Sequence, residues 1–127
     1  MKQQEMKNII DKYIRAYNSF DIEGMLTVMH RDVTFQNVSN DIVNMTANGA
    51  DELREAAEKA KNLFKSRAQK VRKYDYKNDT ATIEIDFAGV LSADMLDGPK
   101  AGETLRLKGR SVFKFKDGLI ISLTDYS

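Results

Sequence analysis

Tyr13-Ile14-Arg15-Ala16-Tyr17-Asn18-Ser19-Phe20-Asp21, then Met25 to Met29, then His30-Arg31-Asp32-Val33-Thr34-Phe35, is the stretch on which the fold turns. Tyr13, Ile14, Tyr17 and Phe20 fall at three- and four-residue steps, continuing Met6, Ile9 and Ile10, so the segment predicts a helix with one apolar face. Lys7, Asp11, Lys12, Arg15 and Asn18 take the other side. Asp21 is the residue type that caps a helix start, here a short helix containing Ile22, Met25, Leu26 and Met29. Val33 to Val38 then alternates as a strand does, with Val33, Phe35 and Asn37 on one face and Thr34 and Gln36 on the other.

Beyond this stretch a short strand is expected around Ile42 to Thr46. A third helix follows Asn48-Gly49, with Leu53, Ala56, Ala57, Ala60, Leu63 and Phe64 on its apolar side. The second half is strands. Arg67 to Tyr76 is one, and Lys77-Asn78-Asp79 is a turn signal. Ala81, Ile83, Ile85, Phe87 and Leu91 alternate with Thr82, Glu84 and Asp86. Ser92 to Glu103, with Gly98, Pro99 and Gly102, is a longer connection. Leu105, Leu107, Gly109, Ser111, Phe113 and Phe115 form a further strand face, and Lys116-Asp117-Gly118 turns into a last strand, Leu119 to Tyr126. Helices first and antiparallel strands second argue an α+β domain, one unit over residues 1–127, with three N-terminal helices gathered on one face of a curved, mostly antiparallel sheet.

The totals narrow the chemistry. The chain has 127 residues, enough for one core, with 42% hydrophobic and 31% charged residues and a net charge of +1. That balance supplies no field to gather nucleic acid or an acidic membrane. The absence of cysteine removes disulfides, thiolate nucleophiles and cysteine-based zinc sites, and a single histidine removes a multi-histidine metal site. No segment approaches the ~20 apolar residues of a membrane span. Residues 1–13 lack the apolar core of a signal peptide, so a cytoplasmic location is expected.

The opening helix with its two tyrosines, the short Asn18-Ser19-Phe20-Asp21 junction, the second helix and the Asp32-Val33 strand start resemble the nuclear transport factor 2-like superfamily. In particular they look like its ketosteroid isomerase and SnoaL-like polyketide cyclase branch. The resemblance covers almost the whole chain as an order of elements, through motifs that record packing rather than chemistry. It implies a cone whose sheet lines a pocket closed by the helices, and a homodimer formed through the outer sheet face. Inward positions then follow from alternation: Ile83, Ile85 and Phe87; Leu107, Gly109, Ser111 and Phe113; and Leu119, Ile121, Leu123 and Asp125.

Three positions define ketosteroid isomerase chemistry: a tyrosine on the first helix, an aspartate base on the first strand, and a protonated aspartate on a later strand. By resemblance Tyr13 matches the tyrosine, but the base position falls on Asn37 and the second acid on Ser111. An amide oxygen is far too weakly basic to take a proton from carbon, and a serine hydroxyl serves an enolate less well than a neutral carboxylic acid. Standard steroid isomerisation is therefore not expected. Asp125 is the acid that remains, following Leu119, Ile121 and Leu123. Among apolar walls it would have a raised pKa and could act as acid or base; at the open end of its strand it would simply be solvated.

The other candidates carry similar alternatives. Tyr13 and Tyr17 are core rings, or one hydroxyl reaches a ligand carbonyl. Asn37 bonds a ligand or satisfies a strand end. His30 closes the second helix, where the dipole favours a cation. Lys59, Lys61, Lys65, Arg67, Lys70, Arg72 and Lys73 form a basic run that spans a helix end and a strand, so it makes no continuous stripe for nucleic acid. Arg106, Lys108 and Arg110 are placed to face Glu84 and Asp86 across neighbouring strands. Met29 or Met45 would suit an adaptable apolar site, and the Ser92 to Glu103 connection is placed to cover a pocket mouth.

Two classes of function follow. The first is a cofactor-free isomerase, cyclase or dehydratase acting on a small, largely apolar carbonyl compound, with Asp125 as acid or base and Tyr13 as hydrogen-bond donor. Tyr17, Met29, Phe35, Asn37, Phe87, Ser111, Phe113 and Leu123 would line its ligand site, with no metal. The second is a non-catalytic dimeric binding or scaffold domain, whose pocket Phe35, Phe87 and Phe113 would pack shut.

Overall fold

Met6, Ile10, Tyr13 and Ile14 are buried along one face of the first helix, α1 (Gln3–Asn18), as the three- and four-residue spacing requires. The computed structural model describes residues 1–127. At its start the Lys2 N–H donates to Glu5 Oε1 at 3.2 Å; at its end the Ser19 hydroxyl donates to Arg15 O at 2.8 Å. Asp21 caps α2 (Ile22–Leu26), its Oδ1 accepting from the Gly24 N–H at 2.9 Å.

The second helix is shorter than its apolar spacing suggests. Met29 and His30 already belong to β1 (Met29–Ser39), because the Ile120 N–H donates to Val28 O and ties the chain into the sheet. His30 therefore has no helix terminus to serve. It is partly buried between Asp32 and Asp117, and its Nδ1 accepts from the Asp32 N–H at 3.0 Å. β2 (Ile42–Asn48) pairs antiparallel with β1. Then α3 (Ala50–Lys61) starts behind Gly49 (φ 89°), with Asp51 and Glu52 in its first turn and Lys59 and Lys61 in its last. Leu63 and Phe64 lie past its end, and Phe64 opens the next strand.

β3 (Phe64–Lys77), β4 (Thr80–Leu91), β5 (Thr104–Lys116) and β6 (Leu119–Tyr126) complete a curved six-stranded sheet in the order β2-β1-β6-β5-β4-β3. All neighbours are antiparallel except β1 and β6. Three helices against this sheet make an α+β cone.

Two of the sheet's register shifts decide which residues face the cavity and the core. In β3 the register shifts between Val71 and Lys73, so Arg67 and Gln69 face inward before it and Tyr74 and Tyr76 after it. Between β5 and β6 it shifts beside Ile121, so Ile120 is buried rather than Leu119 and Ile121. The basic run is accordingly divided. Arg67 is inside, while Lys59, Lys61, Arg72 and Lys73 pair with Glu55, Glu58, Asp86 and Asp75. The outer ladder has the expected register, with Glu84 opposite Arg110 and Asp86 opposite Lys108. No helix is long and apolar enough to cross a membrane.

Candidate functional site

The strand registers stack the inner face of the sheet into tiers. The deepest holds Ala47, Phe35, Leu123, Phe113, Ala81 and Tyr76, one from each strand. Phe113 and Leu123 are fully buried there, and the Tyr13 ring meets Phe113 edge-on at 5.8 Å. The next tier carries Met45, Asn37, Asp125, Ser111, Ile83 and Tyr74. Four polar side chains thus lie in one row on a floor of apolar ones. Further out come Gly109 opposite Ile85, Leu107 opposite Phe87 and opposite it Gln69, and Leu105 opposite Gly89 and opposite it Arg67.

Above these tiers lies a cavity of about 380 Å³, within the size range of small-molecule sites. Its roof is Tyr13 and Tyr17 of α1, Met25 of α2, and Leu53, Ala56, Ala57 and Ala60 of α3. The sheet contributes Phe35, Asn37, Met45, Ile85, Phe87 and Asp125 among others. Gly109 has a steric reason to be glycine: a Cβ there would come within 2.8 Å of Tyr126 O, where β6 presses against β5.

Asp125 is the only acidic side chain in the lining. Burial raises its pKa from 3.8 to about 6, against the opposing pull of the Ser111 hydroxyl, which donates to Oδ1 at 2.6 Å. At neutral pH the group is mostly ionised, yet basic enough to hold a proton. Tyr13 is 4% exposed, and burial followed by the nearby Asp125 charge pushes its phenol well above 10, so it stays a donor. Burial also raises the Tyr17 phenol, with Arg67 opposing. The Asn37 amide donates to Asn44 Oδ1 at 2.8 Å, which holds it beside Asp125 in the adjoining strand.

Tyr13, Tyr17, Phe35, Asn37, Phe87 and Asp125 thus converge on one cavity. Ser111 sits behind Asp125 and reaches the cavity only through it. Met29, Phe113 and Leu123 do not line the cavity: they are packed in the core, because β1 begins at Met29 and the other two occupy the deepest tier. The Phe113 ring therefore cannot close the pocket, which stays open beside Phe35 and Phe87. Nor does the Ser92 to Glu103 connection cover it. None of those residues lines the cavity, and the loop turns on itself through Met95 N–H to Pro99 O at 2.8 Å, leaving Leu96 94% exposed. No three His, Asp or Glu side chains gather as metal ligands would.

The residues missing from the sequence reading are Arg67 and Gln69, both buried and both in the cavity wall. The Arg67 guanidinium lies 3.7 Å from the Tyr17 ring centroid and 4.5 Å from that of Phe20, and its Nε donates to Tyr17 O at 3.0 Å. Gln69 is fixed through its backbone, whose N–H donates to Asn18 Oδ1 at 2.8 Å and whose O accepts from Asn18 Nδ2 at 3.1 Å.

The profile of the SnoaL-like domain matches residues 10–123. No curated protein matches the chain. Among solved structures, a provisionally assigned polyketide cyclase from Xanthomonas campestris pv. campestris superposes with a TM-score of 0.77 at 22% identity, over 98% of this chain and 91% of its own. A protein with a ketosteroid isomerase-like fold from Catenulispora acidiphila, in complex with trimethylamine, gives 0.77 at 16%, over 94% and 84%. An LEH-like epoxide hydrolase from M. tuberculosis gives 0.76 at 13%, over 97% and 82%. At these identities the likeness establishes the fold alone.

Proposed function

The chain belongs to the SnoaL-like domain family, and we propose that it binds a small, largely apolar carbonyl compound in the conical cavity and catalyses a cofactor-free proton transfer on it. The observation that carries this reading is the single acidic side chain, Asp125, facing an apolar cavity and bonded by the Ser111 hydroxyl; burial raises its pKa to about 6. Asp125 takes the proton from a carbon next to the carbonyl. The C–H electron pair moves toward that carbonyl, whose oxygen becomes an enolate, and the Tyr13 hydroxyl donates a hydrogen bond to it. Return of the proton from Asp125 to a different carbon isomerises the compound; its delivery to a β-hydroxyl lets that group leave as water as the enolate collapses to an unsaturated carbonyl; its delivery to the oxygen of a second carbonyl attacked by the enolate carbon completes a cyclisation. Asn37 orients the ligand beside Asp125, Ser111 fixes the carboxylate, and Tyr17, Phe35 and Phe87 enclose the apolar body.

Thermal unfolding against polyketide-like, steroid and terpenoid carbonyl compounds tests binding, since a ligand that prefers the native state raises the melting temperature. Each compound that binds is then incubated with the protein in heavy water. Exchange of a carbon-bound proton, seen by NMR and rising with pH through about 6, is the expected result. Binding without exchange reduces the protein to a non-catalytic binding domain, and no binding at all removes both readings.

Homodimerisation is part of the same proposal. It would use the outer sheet face, where the ladder of Glu84 with Arg110 and Asp86 with Lys108 makes the contact polar. Sedimentation at micromolar concentration is expected to give a dimer, and a monomer there overturns this part.

A further inference from the structure

We infer that the cavity's ligand carries an anionic oxygen, a carboxylate on an otherwise apolar body, and that Arg67 and Gln69 hold that end of it; this rests on the ligand-binding reading above. Arg67 is 6% exposed and Gln69 7%, at successive inward positions of β3 in the cavity wall. No Asp or Glu oxygen lies within ion-pair distance of Arg67. The last turn of α1 explains part of the arrangement: Tyr17 O accepts from Nε, and a helix C-terminus favours a cation. That contact uses one of five guanidinium donors, and the neutral Tyr17 hydroxyl, which also interacts with Arg67 and Gln69, brings no charge to balance the guanidinium. Arg67 Nη2 is buried with no partner, and so is Gln69 Oε1. Folded proteins rarely leave such groups unmet, and a buried charge least of all.

The ligand that completes this corner has a defined chemistry. A planar carboxylate matches the guanidinium fork and neutralises it, while Gln69 Oε1 takes a hydrogen from a neighbouring hydroxyl or water. Ordered water alone would fill hydrogen bonds and leave the charge unneutralised. Along the inner face of β5, Asp125 stands opposite Ser111, whereas the row of Arg67, Gly89 and Leu105 lies three inward positions further out. A carboxylate seated at Arg67 is therefore kept away from the like charge of Asp125, and the apolar body runs under Tyr13 and Tyr17 toward that acid.

Calorimetric titration at pH 8 tests this with matched phenylalkyl carboxylic acids and alcohols, chains of two to six methylenes. The expected result is at least about tenfold tighter binding of the best acid than of its alcohol. Arg67→Met is expected to bring the acid-to-alcohol affinity ratio to within about twofold of one, the ratio being read whatever happens to the alcohol's own affinity. Gln69→Leu serves as a second variant, and should weaken the acid less. If Arg67→Met does not fold, the acid-to-alcohol ratio of the unaltered protein decides. Alcohols or other neutral compounds binding as well as or better than the acids would overturn the anionic end while leaving a ligand site standing. Failure of every acid, alcohol and carbonyl compound to bind would remove the ligand site itself, and this inference with it.

Discussion

Asp125→Asn is expected to raise the melting temperature at pH 8 and, at the same time, to silence proton transfer. The stability effect follows from burial, which lifts the folded-state pKa from 3.8 to about 6. Between those values the folded chain holds a proton that the unfolded chain has released, so stability falls as pH rises from 3.8 to about 6 and stays lowered above it. The span corresponds to at most about 3 kcal/mol. Asparagine carries no charge to desolvate and keeps an oxygen for the Ser111 hydroxyl. The gain at pH 8 should be on the order of 5 °C, shrinking toward nothing by pH 4. Calorimetric melting at both pH values checks it, and a lower melting temperature for the variant at pH 8 would mean that the carboxylate is paired or solvated. For turnover, removal of the base is expected to lower the rate by about 10²- to 10⁴-fold. Stabilisation together with loss of activity is the signature of a group placed for chemistry rather than for folding.

Phe113→Ala is expected to cost about 3–5 kcal/mol, the largest stability loss predicted for this chain. Phe113 is fully buried in the deepest tier, between Leu123 and Ala81 on its neighbouring strands, and it meets the rings of Tyr13 and Phe115. Truncation leaves a void under α1 that a six-stranded sheet cannot close up. Urea denaturation should show a lower midpoint with an unchanged slope. A loss below about 1 kcal/mol would place the ring in the open cavity instead of the core.

What the sequence discloses of this fold is whatever depends on local spacing. The apolar face of α1, the Asp21 cap and the alternation through Ala81, Ile83 and Ile85 need only neighbouring residues, and the structure keeps them. The inward turn of Asp125 is legible in the same way, through Leu123. Arg67 is not. Counting back from the turn at Asn78 pairs Lys70 with Phe87, which would put Ala68 and Lys70 inside. One extra residue at Arg72 puts Gln69 opposite Phe87 and turns Arg67 into the cavity. Nothing in the polarity of Arg67-Ala68-Gln69-Lys70 marks that change, because both faces of the segment carry a cation. The depth of Phe113 is hidden for a different reason: alternation tells which face a residue occupies, not how deep its tier lies. The spacing of Met29 from Met25 points to a helix, while the long-range bond from Ile120 N–H to Val28 O makes it strand.

The parallel contact between β1 and β6 joins the two ends of the chain at the middle of the sheet. Without β6, the strands fall into two separate ribbons, β2 with β1 and β5 with β4 and β3, each with two unpaired edges. The final strand is therefore the keystone of assembly as well as the bearer of Asp125. Neither ribbon can close the cone before that strand arrives, so the acid of the candidate site arrives in the same step that pairs the two inner edges and leaves only β2 and β3 open.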